Sequence, residues 1–356
     1  MLDLTRTYRL SRYAFIRPAD GGFRLQSLLS GWQFKIQSSS IFQLLLALTR
    51  PIKAADLIAQ VPESQREKVQ TFIEQCYAGG LLTEIDKNGL ADEDRGSLAH
   101  WEFHDLLFHT SSRYGRNTEV IGATYRFRGK LPNEPHLSSL SDEKDFLQLP
   151  RPDTQRLQRD DVSLNSALER RRTLYGTKPI SIEALGEFLY RTCRVTNITN
   201  SEDGDTYLRK VYPSGGSLHP LEIYVVASKC IGLNPGLYHY CPIDHGLAAI
   251  KNFDEDAEHL LSNAKQSVGH VVDDIPLLFV ISARFRRTAW KYKSIAYQAI
   301  LKEVGGLYQT MYLVATAMGL KPCALGCGNS DRFARMIGTD YYMETSVGEF
   351  ILAGGD

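Results

Sequence analysis

The chain has 356 residues, 43% of them hydrophobic and 23% charged, which supplies a real apolar core and a length that suits two domains better than one. Lys plus Arg and Asp plus Glu both total 41, so the formal charge is zero, which argues against a dedicated nucleic-acid binder with its basic surplus. No apolar run is long enough to span a bilayer, the opening Met1-Leu2-Asp3-Leu4-Thr5-Arg6 lacks the order of a signal peptide, and six scattered cysteines suit reduced thiols, so a cytoplasmic protein without a membrane segment is expected.

Residues 1–95 read as a small helical domain. Ile41, Leu44, Leu45 and Leu48 fall on one face of a helix over 39–48, and a short helix follows over 54–60. A third helix is marked by Ser64-Gln65-Arg66-Glu67, which has the form of a capping box. Val69, Phe72, Ile73 and Cys76 follow at helical spacing, and Gly79-Gly80 stops the helix. Leu81-Leu82-Thr83-Glu84-Ile85 and a Lys87-Asn88-Gly89 turn suggest a hairpin, which completes a winged-helix-like pattern. The third helix is a poor match to DNA. Arg66 and Lys68 are outnumbered by Glu63, Glu67 and Glu74, whereas phosphate neutralisation drives most DNA affinity. A peptide-binding or packing role suits it better.

Residues 96–160 read as a connector packed on the second domain. Trp101, Phe103, Leu106, Leu107 and Phe108 supply apolar surface, and His104 and His109, five apart, miss the spacing of a helical metal pair. The prolines, serines and charges of 132–152 describe a surface segment. From 161 the pattern becomes mixed α and β: helices over 162–172 and 181–192, strands over 221–227, 237–241, 247–251, 276–284 and 347–353, and a long helix over 297–318. Gly305-Gly306 is expected to interrupt that helix and to leave bare backbone for a second helix, a partner subunit or a planar ligand.

Four segments of this half bear on chemistry. Arg170, Arg171, Arg172 and Thr173 end a helix, and arginine forks suit phosphate, although favourable charge at a helix C-terminus is the plainer explanation. Tyr212-Pro213-Ser214-Gly215-Gly216-Ser217-Leu218-His219-Pro220 is a glycine-rich turn that lets backbone approach a ligand, or simply starts a strand. Arg284 to Lys293 follows a buried-looking strand; Lys291 offers an amine and Tyr292 a hydroxyl, and a basic surface loop is the plainer explanation. Ala324-Leu325-Gly326-Cys327-Gly328 is a second tight turn able to aim backbone N–H groups. Cys323 and Cys327 have no nearby histidine to complete a metal-ligand set, so no metal site is expected. No GxGxxG, P-loop or nucleophile elbow is present, so a Rossmann-type nicotinamide site is unsupported.

Taken in order, these segments resemble the flavin-dependent nitroreductase superfamily, and within it the SagB/ThcOx-type azoline dehydrogenases. The resemblance runs over roughly 100–356 and rests on Tyr212 to Pro220, on Trp290-Lys291-Tyr292 and on Gly305-Gly306-Leu307-Tyr308-Gln309, with Trp101-Glu102-Phe103-His104-Asp105 as lead-in. It implies an α+β fold, a nitroreductase-like FMN domain of mixed or antiparallel sheet flanked by helices over 161–356, behind the winged-helix-like domain. It implies a homodimer with FMN between subunits. Arg171, Arg172 and Thr173 would face the FMN phosphate. Ser214, Gly215, Gly216, Ser217 and His219 would lie along the flavin and its ribityl chain, and Leu325 and Gly326 would offer backbone N–H groups to its N5/O4 edge. Lys291 and Tyr292 match the family's catalytic pair. Two departures bear on the phosphate. Tyr175 stands where many nitroreductases place a second basic residue, and the stretch ending Gly354-Gly355-Asp356 lacks their late basic residues, so Arg170 or a basic residue elsewhere would substitute. The implied reaction oxidises a thiazoline or oxazoline to the azole: Lys291 removes a ring proton with help from Tyr292, a hydride passes to flavin, and dioxygen reoxidises it. The substrate would be a heterocyclised peptide or a carrier-bound intermediate, with a cyclodehydratase or synthetase complex as partner. An NAD(P)H-dependent nitroreductase and a non-catalytic scaffold are the alternatives.

Overall fold

The computed structural model describes residues 2–19, 21–117, 119–135, 145–200 and 206–355. It divides into two compact units, Met1–Ile121 and Gly122–Asp356. In the first unit, β1 (Thr7–Leu10), β2 (Ala14–Ala19), β3 (Gly22–Ser27) and β4 (Gln33–Ile36) precede α1 (Ser39–Ala47), β5 (Ile52–Lys53), α2 (Ala54–Ala59), α3 (Glu63–Ala78), β6 (Leu82–Ile85) and α4 (Phe103–Ser111). The three expected helices are present, but the unit is not purely helical. A β2-β3-β4 meander and a β5-β1-β6 sheet frame them. Beyond β6 the chain returns only as an isolated Ile85–Ala91 bridge, and the strand partner of β6 is β1.

The capping box does not form. Pro62 occupies the N-cap of α3, which starts at Glu63, and the Gln65 amide bonds to the Pro62 carbonyl at 2.8 Å. Proline is suited to a helix start because its fixed φ costs nothing there. Val69, Phe72, Ile73 and Cys76 are buried against Leu25, Ile36 and Leu45. Gly80, at φ +68°, ends α3, and a side chain on Gly79 would collide with Trp32. α4 buries Leu106 against Tyr13 and Leu28, so the first part of the expected connector belongs to the first unit.

The second unit comprises β7 (Gly122–Ala123), β8 (Phe146–Gln148), α5 (Thr154–Asp160), α6 (Leu164–Arg170), β9 (Ile180–Ser181), α7 (Ile182–Cys193), β10 (Val195–Asn200), β11 (Thr206–Lys210), β12 (Leu221–Ala227), β13 (Cys230–Ile231), β14 (Gly236–Cys241), β15 (Gly246–Asn252), α8 (Glu255–Ser267), β16 (Leu277–Arg284), α9 (Phe285–Lys291), β17 (Tyr292–Lys293), α10 (Ala296–Ala317), β18 (Lys321–Ala324), α11 (Ser330–Ile337) and β19 (Glu344–Ala353). The connector's later part supplies β7 and β8; residues 136–144 within it lie outside the described residues.

An antiparallel sheet of order β18-β19-β16-β12-β14-β15-β8 forms the core. Alternate residues of its central strands point to opposite faces. Ile223, Val225, Phe279, Ile281 and Phe350 pack with Phe188 and Leu189 of α7 and Leu307 and Met311 of α10. Tyr224, Val226, Leu278, Val280 and Ile351 pack with Leu260 and Leu261 of α8 and Phe333 of α11. Helices therefore cover both faces, which is why β12 and β16 are apolar nearly throughout and buried end to end. α10 is continuous: Gly305-Gly306 does not break it, because its flanking residues Val304, Leu307 and Met311 anchor it on the sheet.

Candidate functional site

The turn between β11 and β12 is held in an unusual backbone conformation. Gly216, Ser217 and His219 all have positive φ, at +66°, +55° and +43°. Such a conformation costs roughly 1 kcal/mol or more for a residue with a side chain, and persists only where surroundings enforce it. The enforcement comes from beneath. The Ser214 hydroxyl donates to a Glu303 carboxylate oxygen of α10 and accepts the His219 amide at 2.9 Å. Arg287 of α9 donates to the Leu218 carbonyl from Nε at 2.8 Å and again from Nη2. It also donates from Nη1 to the Glu134 carbonyl at 2.9 Å.

Sequence reasoning placed Ser214 and His219 along a ligand, but both turn inward. His219 is buried, with Nδ1 3.7 Å from Glu303 Oε1. Past Ser214 the exposed part of the turn is Gly215-Gly216-Ser217.

Lys291 and Tyr292 come to this exposed part. The expected basic loop is the short helix α9, and Lys291 is its last residue. A Cβ on Gly216 would lie 2.6 Å from Tyr292 Oη and 2.7 Å from Lys291 Nζ, closer than real contacts allow. Gly216 is favoured by its positive φ, and any side chain there would have to displace the ends of Lys291 and Tyr292. Gly216→Ala is expected to lower turnover more than tenfold while circular dichroism stays that of the parent; parental turnover in the variant would show that the Lys291–Tyr292 placement does not matter.

Arg171, Arg172, Thr173, Leu325 and Gly326 assemble elsewhere. The Thr173 hydroxyl is 3.0 Å from Tyr312 Oη, which accepts the Ala324 amide at 2.9 Å, and the Arg171 guanidinium lies 5.5 Å from the Tyr312 ring centre. Arg172 folds back, donating to the Glu169 and Arg171 carbonyls at 2.9 and 2.8 Å. Lys321, missed in the sequence reading, lies beside this segment, its Cδ 2.7 Å from where a Gly176 Cβ would stand. It is a basic residue elsewhere in the chain, of the kind the sequence reading left open for the phosphate.

Next to this cluster is a cleft of about 430 Å³ lined by Leu301, Gly305, Tyr308, Leu325, Gly326 and Glu349, among others. The Leu325 amide is not available to a ligand, because it donates to the Glu349 carbonyl at 2.9 Å. That leaves Gly326 as the backbone donor of the expected pair, and a Cβ there would meet nothing within 4 Å. Glu349 is a second residue the sequence reading missed; burial raises its carboxyl above the ordinary value.

α10 relates the two clusters. Gly215 approaches Ala299, Ser214 bonds Glu303, and Pro213 approaches Gly306. At roughly 100° per residue these three positions share one flank of the helix, whereas Leu301, Gly305, Tyr308 and Tyr312 share the opposite flank. The exposed residues Lys302 and Gln309 run between. Among the described residues, the glycine turn and the cleft with the neighbouring Arg171–Thr173 segment thus lie on different flanks of α10.

Beneath the turn lies a buried ionic network. Glu303 sits on the apolar side of α10 between Ile300 and Val304, and burial, only partly offset by the Ser214 bond, Lys210 and Arg287, pushes its carboxyl up to about 7. Glu222 is also buried, but the His239 bond and the charges of Lys210 and Arg284 outweigh burial and bring it to about 2. Burial lowers Lys210 and Arg287, the latter to about 10. A charged residue on an apolar helical stripe is a signal the sequence carried and its reading passed over.

With this geometry in place, comparison with known proteins is informative. The nitroreductase family model matches residues 169–352. The chain belongs to the nitroreductase family. The model of the cyanobactin oxidase ThcOx matches residues 8–118, which makes this a ThcOx-type member and an oxidoreductase. The nitroreductase match covers the sheet apart from its edge strand β8, the glycine turn, α9 and the cleft, and the ThcOx match covers almost the whole first unit. The chain is 31% identical over 171 residues to the MJ1384 protein of Methanocaldococcus jannaschii, which carries a nitroreductase name; the match covers 47% of this chain and 80% of that one. It is 27% identical over 143 residues to the trifolitoxin-processing protein TfxB of Rhizobium leguminosarum bv. trifolii, over 40% of this chain and 38% of that one. It is 28% identical over 118 residues to the microcin B17-processing protein McbC of Escherichia coli, over 32% and 43%. The chain thus spans less than half the length of these two peptide-processing relatives.

The first unit of this nitroreductase carries an open groove of its own, about 770 Å³, between α1, α2 and α3. Phe34, Ile41, Leu44 and Phe72 give it an apolar floor, Gln43, Gln60, Gln65 and Gln75 a polar rim, and Lys68 is the one charged residue among its described lining.

Proposed function

We propose that this protein is an FMN-dependent dehydrogenase that oxidises thiazoline or oxazoline rings in a heterocyclised peptide to the aromatic azoles. The observation that carries the reading is the convergence of Lys291 Nζ and Tyr292 Oη on Gly216. An amine and a phenol at the tip of a cofactor-type turn suit proton removal from a bound ring, a task that reduction of a nitro group does not require. The names of TfxB and McbC, both processing proteins of peptide products, and the ThcOx match of the first unit support the same substrate class.

The residues fit a flavin. A turn with no side chain at Gly216, a cleft bare at Gly305 and Gly326, and the Arg171–Thr173 segment with Lys321 offer a planar seat and a cationic end. FMN, when bound, supplies two-electron acceptance and reoxidation by dioxygen. The chain supplies the rest. Gly215 to Ser217 would bear on the ring system, Arg171, Thr173 and Lys321 would hold the phosphate, and the Gly326 amide would donate to the ring edge. Lys291 Nζ accepts the proton from the azoline carbon, and Tyr292 Oη orients the ring heteroatom.

Because the turn and the cleft flank α10 on opposite sides, we place the cofactor between two copies of the chain, one lending its turn and the other its cleft. The test of the flavin reading is the visible spectrum of the purified protein, with chromatography of what denaturation releases. Near-stoichiometric FMN supports it; a colourless protein that fails to take up added FMN overturns it.

The groove of the first unit is the seat we assign to the substrate's leader segment. Its glutamine rim suits backbone amides of a peptide, and its near absence of charge does not suit phosphates. Deleting the first unit, residues 1–121, is expected to weaken peptide binding at least tenfold in a titration by fluorescence anisotropy while FMN stays bound; unchanged peptide affinity would sink this assignment.

A further inference from the structure

We infer that Tyr125 is a positioning residue for the Lys291 amine, forming with Tyr292 an aromatic cage around it. The inference rests on the reading above that Lys291 is the working base.

Lys291 Nζ lies 5.7 Å from the Tyr125 ring centre and 5.4 Å from that of Tyr292, within the range at which a ring face attracts a cation. Gly216 bounds the same amine from a third direction. Tyr125 is itself tightly fixed. It has φ +49°, a conformation a bulky residue adopts only when its surroundings impose it. Its amide donates to the Lys291 carbonyl at 3.1 Å. Just before it, β7 pairs with β17, setting Ala123 opposite Tyr292 and Gly122 opposite Lys293.

The segment after Tyr125 is fastened to α9 as well. Trp290 Nε1 donates to the Leu131 carbonyl at 2.9 Å, and Arg287 Nη1 to the Glu134 carbonyl at 2.9 Å. The Tyr125 ring meets Trp290 edge to face at 6.0 Å between centres, and the Arg128 guanidinium lies 4.8 Å from the Tyr125 ring centre. Residues 122–135 thus form a strap around α9, and the strained residue of the strap is the one that presents a ring to the amine. A segment that only connected two domains would need neither the strain nor the strand pairing with Tyr292.

The test compares Tyr125→Phe, which keeps the ring, with Tyr125→Leu and Tyr125→Met, which do not. All are made in the full-length, FMN-loaded protein. The first readout is acetylation of Lys291 by an N-hydroxysuccinimide ester, measured by peptide mass spectrometry against the exposed Lys302. Loss of the ring is expected to raise the Lys291 to Lys302 labelling ratio about threefold or more, the size of a modest cation–π contact, while Tyr125→Phe labels like the parent. The second readout is turnover of an azoline peptide: an amine released from the cage is freer to react with the ester but is no longer aimed at Gly216, so the non-aromatic variants are expected to lose about tenfold in kcat with KM nearly unchanged and Tyr125→Phe to retain it.

Two non-aromatic side chains of different shape guard against one that fails to fold. Parental labelling in both overturns the inference. The labelling pattern needs no azoline substrate. If it holds in a protein that oxidises no azoline, the cage stands and the proposed reaction falls.

Discussion

Replacing Lys291 by alanine is expected to reduce azoline oxidation by about 10²–10⁴-fold, the range for loss of a positioned general base, with FMN content unchanged. The structure gives the reason for both halves of this expectation. Lys291 Nζ reaches Gly216 from the end of α9, so its removal takes away the amine without disturbing the turn, which is held from below by Glu303 and Arg287. Arg171, Thr173 and Gly326 lie on the other flank of α10 and are untouched. Tyr292→Phe keeps the ring that faces the amine and loses the hydroxyl, so a smaller loss is expected. Steady-state rates with flavin content measured in parallel decide the matter. An alanine variant that turns over like the parent would favour an NAD(P)H-dependent nitroreductase, whose chemistry does not call on this amine.

The second large effect concerns stability and its dependence on pH. Glu303 has a folded-state pKa of about 7 against an ordinary 4.5. Between these values the folded protein binds more protons than the unfolded chain, so Glu303 makes stability fall as pH rises through that window. Its cost is absent below about pH 4.5 and fully present above about pH 7, where the difference is on the order of 3 kcal/mol. Glu303→Gln preserves the shape and can still bond the Ser214 hydroxyl, but removes the titration. The variant is therefore expected to match the parent near pH 4 and to exceed it by up to about 3 kcal/mol at pH 8 in urea unfolding.

Comparing variant with parent cancels the other groups that titrate in this range, including His245, which burial lowers. Glu222, at about 2, loses its contribution only as pH falls from 4.5 toward 2, outside the window. An equal stability difference at both pH values would show that Glu303 is not held protonated beneath the turn.

Much of the second unit was legible in the sequence because its strands are apolar on both faces and its long helix carries a clean stripe. β12, β16 and α10 lie where alternation and helical spacing put them. The first unit was harder. Its meander over 14–36 mixes arginines and glutamines with single apolar residues, so period-two alternation is weak, and the Ser64–Glu67 pattern was overridden by the proline two positions before it.

In the site, the glycine turn and the Lys291–Tyr292 pair were legible as local motifs, but their meeting depends on α9 being a helix rather than a loop. The inward turn of Ser214 and His219 was not legible, because it depends on Glu303 some ninety residues later in the chain. Tyr125 and Lys321 carry no local pattern at all; only strand pairing and the close approach at Gly176 bring them to the clusters they join.

The most direct test of the account is mass spectrometry of a thiazoline-containing peptide incubated in air with the full-length protein and FMN, without added nicotinamide cofactor. The account predicts loss of two hydrogens per ring, dependent on Lys291. An unchanged peptide mass across thiazoline and oxazoline substrates, from a protein that binds FMN and reduces nitro compounds with NAD(P)H, would contradict it.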